Sequence, residues 1–161
     1  MKTIFTILFL SISFCVFSQS YESAVGARFG FPLSISYKKF ISENTALEAY
    51  GGFTNNFGFN RISLSGAYLK HSPLEIESIE NLTWYWGAGA SIYFWSFDTG
   101  FSNESSTSFS ADGYVGVEYT FTDTPLSLSV DWVPRIFISG FGSGFAGGFG
   151  ALSARYVLDR G

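Results

Sequence analysis

From Leu82 to Trp95 the even positions read Leu82, Trp84, Trp86, Ala88, Ala90, Ile92 and Phe94, while the odd ones include Thr83, Gly87, Gly89 and Ser91. Residues two apart share a face only in an extended strand; a helix repeats every 3.6 residues. An alternation kept up over about fourteen residues predicts a strand far longer than the usual five or six.

The same period runs through the chain. Phe109, Ala111, Val115, Val117, Tyr119 and Phe121 alternate with Ser110, Asp112, Tyr114, Gly116, Glu118 and Thr120. Leu128, Val130, Trp132 and Ile136 face away from Ser127, Ser129, Asp131 and Arg135. Val25, Ala27 and Phe29 oppose Gly26 and Arg28; Leu33, Ile35 and Tyr37 oppose Ser34, Ser36 and Lys38; Leu47, Ala49 and Phe53 oppose Glu48 and Tyr50. Ile62, Leu64 and Tyr68 alternate with Arg61, Ser63 and Ser65, and Leu152, Ala154, Tyr156 and Leu158 with Ala151, Ser153 and Arg155. About eight strands follow.

Turn signals divide them at Gly30 to Pro32, Ser42 to Asn44, Thr54 to Asn56, His71 to Asn81, Asp98 to Ser106, Thr122 to Pro125 and the glycine-rich Ser139 to Gly148. No connection carries a helical pattern. An even number of antiparallel strands in sequential order can close, and closure leaves no unpaired edge. With both termini on the periplasmic side, two of the longest connections, Asp98 to Ser106 and Ser139 to Gly148, fall outside, as in outer-membrane barrels. The His71 to Asn81 connection is the exception, long on the periplasmic side.

The first residues read as an export signal: Lys2 is a basic start and Ile4 to Phe17 an apolar run too short to span a bilayer. Val16 and Ser18 suit cleavage after Ser18, which makes residues 1–18 a signal peptide and 19–161 one barrel domain. Cys15 does not fit a lipid-anchored cysteine, because Phe14 before it is not small. The remaining 143 residues then hold no cysteine and a single histidine, which argues against a disulfide framework, a thiol nucleophile or a zinc site.

Alternation alone does not say which face is outside, since a lipocalin-like barrel alternates too. Composition decides. Only 14% of the residues are charged and 20% are aromatic, and a soluble barrel needs a well-charged exterior. An eight-stranded lumen is just wide enough to be filled by side chains, too narrow for Phe29, Phe53, Trp84, Trp86, Phe94, Phe109, Phe121 and Trp132 together. These, with Tyr156, are expected to face lipid. Charges on that face would cost up to ~2–4 kcal/mol each near the midplane, so Arg28, Lys38, Arg61 and Arg155 must point inward. Glu48, Asp112, Glu118 and Asp131 join them. Four bases then meet four acids, with Arg135 near a strand end, and the expectation is a lumen closed by ion pairs rather than a stable pore.

With these strands in place the chain resembles the small outer-membrane β-barrel domain proteins of Gram-negative bacteria. The resemblance runs through AVGARFGFPLSISYKKFISENTALEAYGGF, LTWYWGAGASIYFW, DGYVGVEYTF followed by PLSLSVDWVP, and the closing ALSARYVL. It implies an all-β, eight-stranded antiparallel up-and-down transmembrane β-barrel in the outer membrane and no settled biochemical activity. Such barrels commonly end on an aromatic residue; here Asp159-Arg160-Gly161 follow Leu158, and Tyr156 is the nearest aromatic. Pro134 calls for a bulge or a strand end. Trp84, Trp86, Trp95 and Trp132 are candidates for interfacial girdles.

Enzyme chemistry finds little support. Some outer-membrane barrels modify lipid A with serine, histidine and an acid, and His71-Ser72 lies near Glu75 and Glu77. Yet adjacent strand residues point to opposite faces, and the segment is on the wrong side for outer-leaflet lipid A. A turn histidine is expected. Gly26 and Gly30 flank Arg28 without the helix a phosphate loop needs. Without Lys2 the net charge of −4 becomes −5, which disfavours nucleic acid. The expectation is a non-enzymatic, monomeric structural or surface-interaction barrel partnered by outer-membrane lipid, with no cofactor or metal and with its surface partner open. The other readings are a soluble exported barrel holding an apolar ligand and a lipid A-modifying enzyme.

Overall fold

The structure, a computed structural model of the chain, describes residues 21–56, 59–76, 79–98, 103–140 and 143–160. The signal-peptide segment lies outside them. Ten strands follow one another: β1 (Ser23–Gly30), β2 (Ser34–Ser42), β3 (Thr45–Asn56), β4 (Phe59–Pro73), β5 (Leu82–Asp98), β6 (Asn103–Thr120), β7 (Leu126–Trp132), β8 (Arg135–Ser139), β9 (Gly144–Ala146) and β10 (Gly150–Asp159). Every pairing between them is antiparallel: sequence neighbours pair from β1 through β7 and β8 pairs with β9, while β6 also pairs with β8 and β10 pairs with β7 and β1. β1 pairs with β10, and β5 with β6, so the sheet has no free seam.

Ten strands make eight staves, because β7 and β8 are one. Trp132 faces Val115 and Arg135 faces Asp112 across β6 in an unbroken register. Between them stands Pro134, which has no amide hydrogen to give the ladder but accepts from Gly113 N at 2.8 Å. Of the two alternatives Pro134 posed, the strand end is therefore the one found, without a bulge. Beyond it the stave parts from β10 and pairs with the short β9 instead. The result is the eight-stranded up-and-down barrel that the period of two called for.

Several segments that read as turns are strand. Asn55 and Asn56 pair with Asn60 and Phe59, Asn103 to Ser106 pair with Asp98 to Trp95, and His71 to Pro73 pair with Tyr85 to Thr83. Their polar residues look like loop, but a ladder is held by backbone hydrogen bonds and needs no apolar face once it leaves the lipid band. β5 and β6, of 17 and 18 residues, thus far outreach β1 and β2, of 8 and 9. About 9–11 tilted residues cross a hydrocarbon core. The wall rises unevenly, tallest at the β5–β6 hairpin.

Several close approaches require a glycine, and Gly116 is one of those facing the lumen. Gly116 lies directly opposite Tyr85, whose ring crosses the site where a Cβ would stand, 2.7 Å from it, with Asp131 Cβ at 2.8 Å. Gly66 points outward and would meet nothing. Gly116→Val is expected to displace Tyr85 and to cost about 1–3 kcal/mol as overpacking does. Gly66→Ala should stay within ~0.5 kcal/mol. Urea unfolding in lipid vesicles, followed by tryptophan fluorescence, measures both.

Candidate functional site

The site is the lumen. Odd or even by strand, each residue on the polar face turns inward, and Arg28, Lys38, Glu48, Arg61, Asp112, Glu118, Asp131 and Arg155 are all buried there, each at most 5% exposed. Arg135 is buried with them. Its position as the first residue of β8 fits a strand end, but the side chain belongs to the lumen. The count among described residues is therefore five bases to four acids, not four to four.

The charges form linked groups stacked along the barrel. Nearest the end that carries both termini, Lys38 pairs with Glu118, which also accepts from Tyr21 Oη at 2.5 Å and Ser127 Oγ at 2.7 Å. Next, Glu48 Oε1 is shared between Arg155, at 2.5 Å, and Arg28, at 3.2 Å. Arg28 reaches on to Asp131 Oδ1 at 2.9 Å, and Tyr85 Oη donates to the other oxygen of Asp131 at 2.8 Å. Arg155 also donates to Ser129 Oγ at 2.8 Å and Ser36 Oγ at 3.2 Å. Further out, Asp112 takes Arg135 Nε at 2.7 Å, Ser110 Oγ at 2.8 Å and Ser91.

Aromatic rings fill what the ions leave. Tyr50 and Tyr114 join hydroxyls at 2.7 Å, and the Arg28 guanidinium lies 4.6 Å from the Tyr50 centroid. Lys38 stands 4.9 Å from the Tyr85 ring and Arg135 4.4 Å from that of Phe149. Arg61 differs from the other bases. Its contacts are the rings of Phe31, Trp95 and Tyr93, at 4.4, 5.1 and 5.9 Å, and Thr54 Oγ1 at 3.5 Å, and its Nε has no partner.

The outer face is the complement. Phe29, Trp84, Trp86, Phe94, Phe109, Trp132 and Tyr156 stand exposed on it, alongside Ile35, Leu64, Val130 and Leu152. Phe121 lies just past β6, half-buried with its ring centroid 4.8 Å from that of Tyr119. Trp95 does not join a girdle, because its odd position turns it inward, where its indole donates to Ser108 Oγ at 3.1 Å. The exposed charges among described side chains, from Glu22 and Lys39 to Asp123 and Arg160, cluster at the end bearing the termini. Trp132 donates to Gly147 O at 2.5 Å, which holds the glycine-rich segment against the wall.

His71 is no turn residue: it is buried on β4, its ring 4.9 Å from those of Phe40 and Tyr85. Ser72 points the other way, so the pair cannot act on one substrate. Glu77 lies outside the described residues. Among the described residues no group of three His, Cys, Asp or Glu could hold a metal ion.

An antiparallel eight-stranded barrel with charge inside and large apolar side chains outside is the architecture of small outer-membrane β-barrels, and that is the fold of this chain. Two solved structures share it: Neisserial surface protein A, with a TM-score of 0.57 at 20% identity over 84% of this chain and 94% of that one, and the N-terminal beta-barrel domain of Pseudomonas aeruginosa OprF, with 0.55 at 16% identity over 86% and 94%. No protein-family model and no curated protein matches the chain.

Removing one partner of a buried pair leaves the other unpaired, at a cost of ~3–5 kcal/mol. Lys38→Met is expected to destabilise the barrel by about that much. Adding Glu118→Gln should restore part of the loss, since the amide can still accept from Tyr21 and Ser127. A double-mutant cycle from urea unfolding reads the coupling.

Proposed function

We propose that this protein is a non-enzymatic barrel of the Gram-negative outer membrane, exported by its N-terminal signal segment, with a closed lumen and a structural or surface-interaction role. One observation carries the reading: every buried charge faces the lumen while the wall presents phenylalanine, tryptophan, isoleucine and leucine. In water that exterior would be an apolar patch far larger than soluble monomers carry; in lipid it is the surface a barrel needs. The two structural neighbours, a neisserial surface protein and a domain of a Pseudomonas protein, support the same class.

Closure is supported by the filling of the lumen. Tyr21, Tyr85, Tyr93 and Tyr114 are buried across it, between ion pairs already satisfied by one another. The lumen side chains described, arginine, glutamate and serine among them, suit a soluble carrier of an apolar ligand poorly. A lipid A-modifying site is disfavoured because Ser72, next to His71, points to the opposite face.

Cell fractionation should recover the protein in the outer membrane, and unboiled samples should migrate faster on gels than boiled ones. Recovery in the soluble periplasm would defeat the proposal. In planar bilayers the purified protein is expected to give no stable single-channel steps, and reproducible unitary conductance would refute the closed lumen alone.

A further inference from the structure

Among the described side chains, the outer half of the lumen carries more positive charge than its acids neutralise. Arg28, Arg61 and Arg135 stand there against Asp112 and Asp131, and Glu48, the other acid that Arg28 touches, is shared with Arg155. Arg61 makes no ion pair with a described residue, although it is only 5% exposed and its Nε lacks a partner. A buried donor left unmade is costly, more so when charged. Moreover Arg61 and Arg135 lie over the same ring, 5.9 and 5.2 Å from the Tyr93 centroid. Two guanidinium groups at one ring add like charge there, which a negative group beside them would offset.

A space for it adjoins them. A cavity of about 30 Å³, open toward the outer end of the lumen, is lined by Arg28, Arg135, Ser34, Ser63, Tyr50 and Tyr93 among others. Guanidinium and hydroxyl groups supply donors, and no carboxylate lines it. Phe31 and Tyr93, which flank the Arg61 guanidinium, form part of its wall. Ser63 stands two residues along β4 from Arg61, on the same inward face.

We propose that this cavity is a binding site for one monatomic anion, a halide such as chloride, held by Arg135 and Arg28 with the hydroxyls around them, next to the Arg61 guanidinium that packs on Phe31 and Tyr93 of its wall. The small volume, room for roughly one or two water-sized spheres, suits a halide. The bound anion balances the fifth base among the described lumen residues. The site is a counterion position within the wall-to-wall network, and it stands independently of whether the lumen conducts.

The test uses the purified barrel in detergent micelles and in crystals grown with sodium bromide. Anomalous diffraction should place a bromide in the cavity beside Arg28 and Arg135. The temperature at which the fast gel band converts to the slow one should rise by roughly 5 °C in chloride or bromide over gluconate at equal ionic strength, as filling a native-state site does. Arg61→Gln should abolish that difference. Wild-type protein alone decides the matter if the variant does not fold. An empty cavity in bromide crystals, an acidic side chain seated against Arg61, or equal midpoints in chloride and gluconate would each overturn the proposal, and bromide density without any halide effect on melting would mark binding at crystal concentration only and overturn it too.

Discussion

The width of an eight-stranded barrel governs everything else in this molecule. The lumen has room for side chains and little more, so a charged group turned inward cannot be solvated by bulk water and must be met by another side chain. Glu48 shows the consequence, with one oxygen shared between Arg155 and Arg28. So does Asp131, which serves Arg28 on one oxygen and Tyr85 on the other. Networks of this kind gain from each member being satisfied, and serine and tyrosine hydroxyls complete Glu118, Asp131 and Asp112.

The faces of the staves were legible in the sequence because a strand has a strict period of two and the two environments differ so sharply. Where lipid lies on one side and an ionic core on the other, one residue of slip would bury every phenylalanine and expose every arginine. The pattern therefore tolerates few exceptions, and reading it residue by residue places Arg28, Lys38, Glu48 and Glu118 inside without any knowledge of register. What periodicity does not encode is where a strand stops. Asn103 to Ser106 continue β6 well above the apolar band, and outside lipid a polar strand and a polar loop have the same composition.

The full place of Arg135 among the lumen charges and of Trp95 on the inner face is obscured in the sequence for different reasons. Pro134 interrupts the hydrogen-bond ladder and so suggests that the pattern ends, yet the register with β6 passes through it unchanged. Arg135 is thus the next inward residue after Val133, and Asp112 opposite is its partner. Trp95 has the residue type of an interfacial girdle but the odd parity of the lumen face. Parity was the stronger signal, because it is fixed by backbone geometry, while residue type is only a preference.

The same ion pairs also fasten the ring. In an up-and-down barrel the pairing of the first stave with the last joins the residues farthest apart in sequence, which makes it the contact with the greatest loop-closure cost. Arg28, on β1, crosses to Asp131 on β7, and Arg155, on β10, crosses to Ser36 on β2 and Glu48 on β3. Each of these spans the seam between β1 and β10, so the lumen charges tie the two ends of the chain together over and above the ladder bonds that β1 and β10 exchange. In a lumen this narrow an ion pair reaches past its neighbouring strand to the next one. An apolar core of equal volume would fill the space without choosing which staves meet. The buried charges do choose, because a shifted closure would strand Arg28 or Arg155 away from Glu48, and each broken buried pair costs ~3–5 kcal/mol.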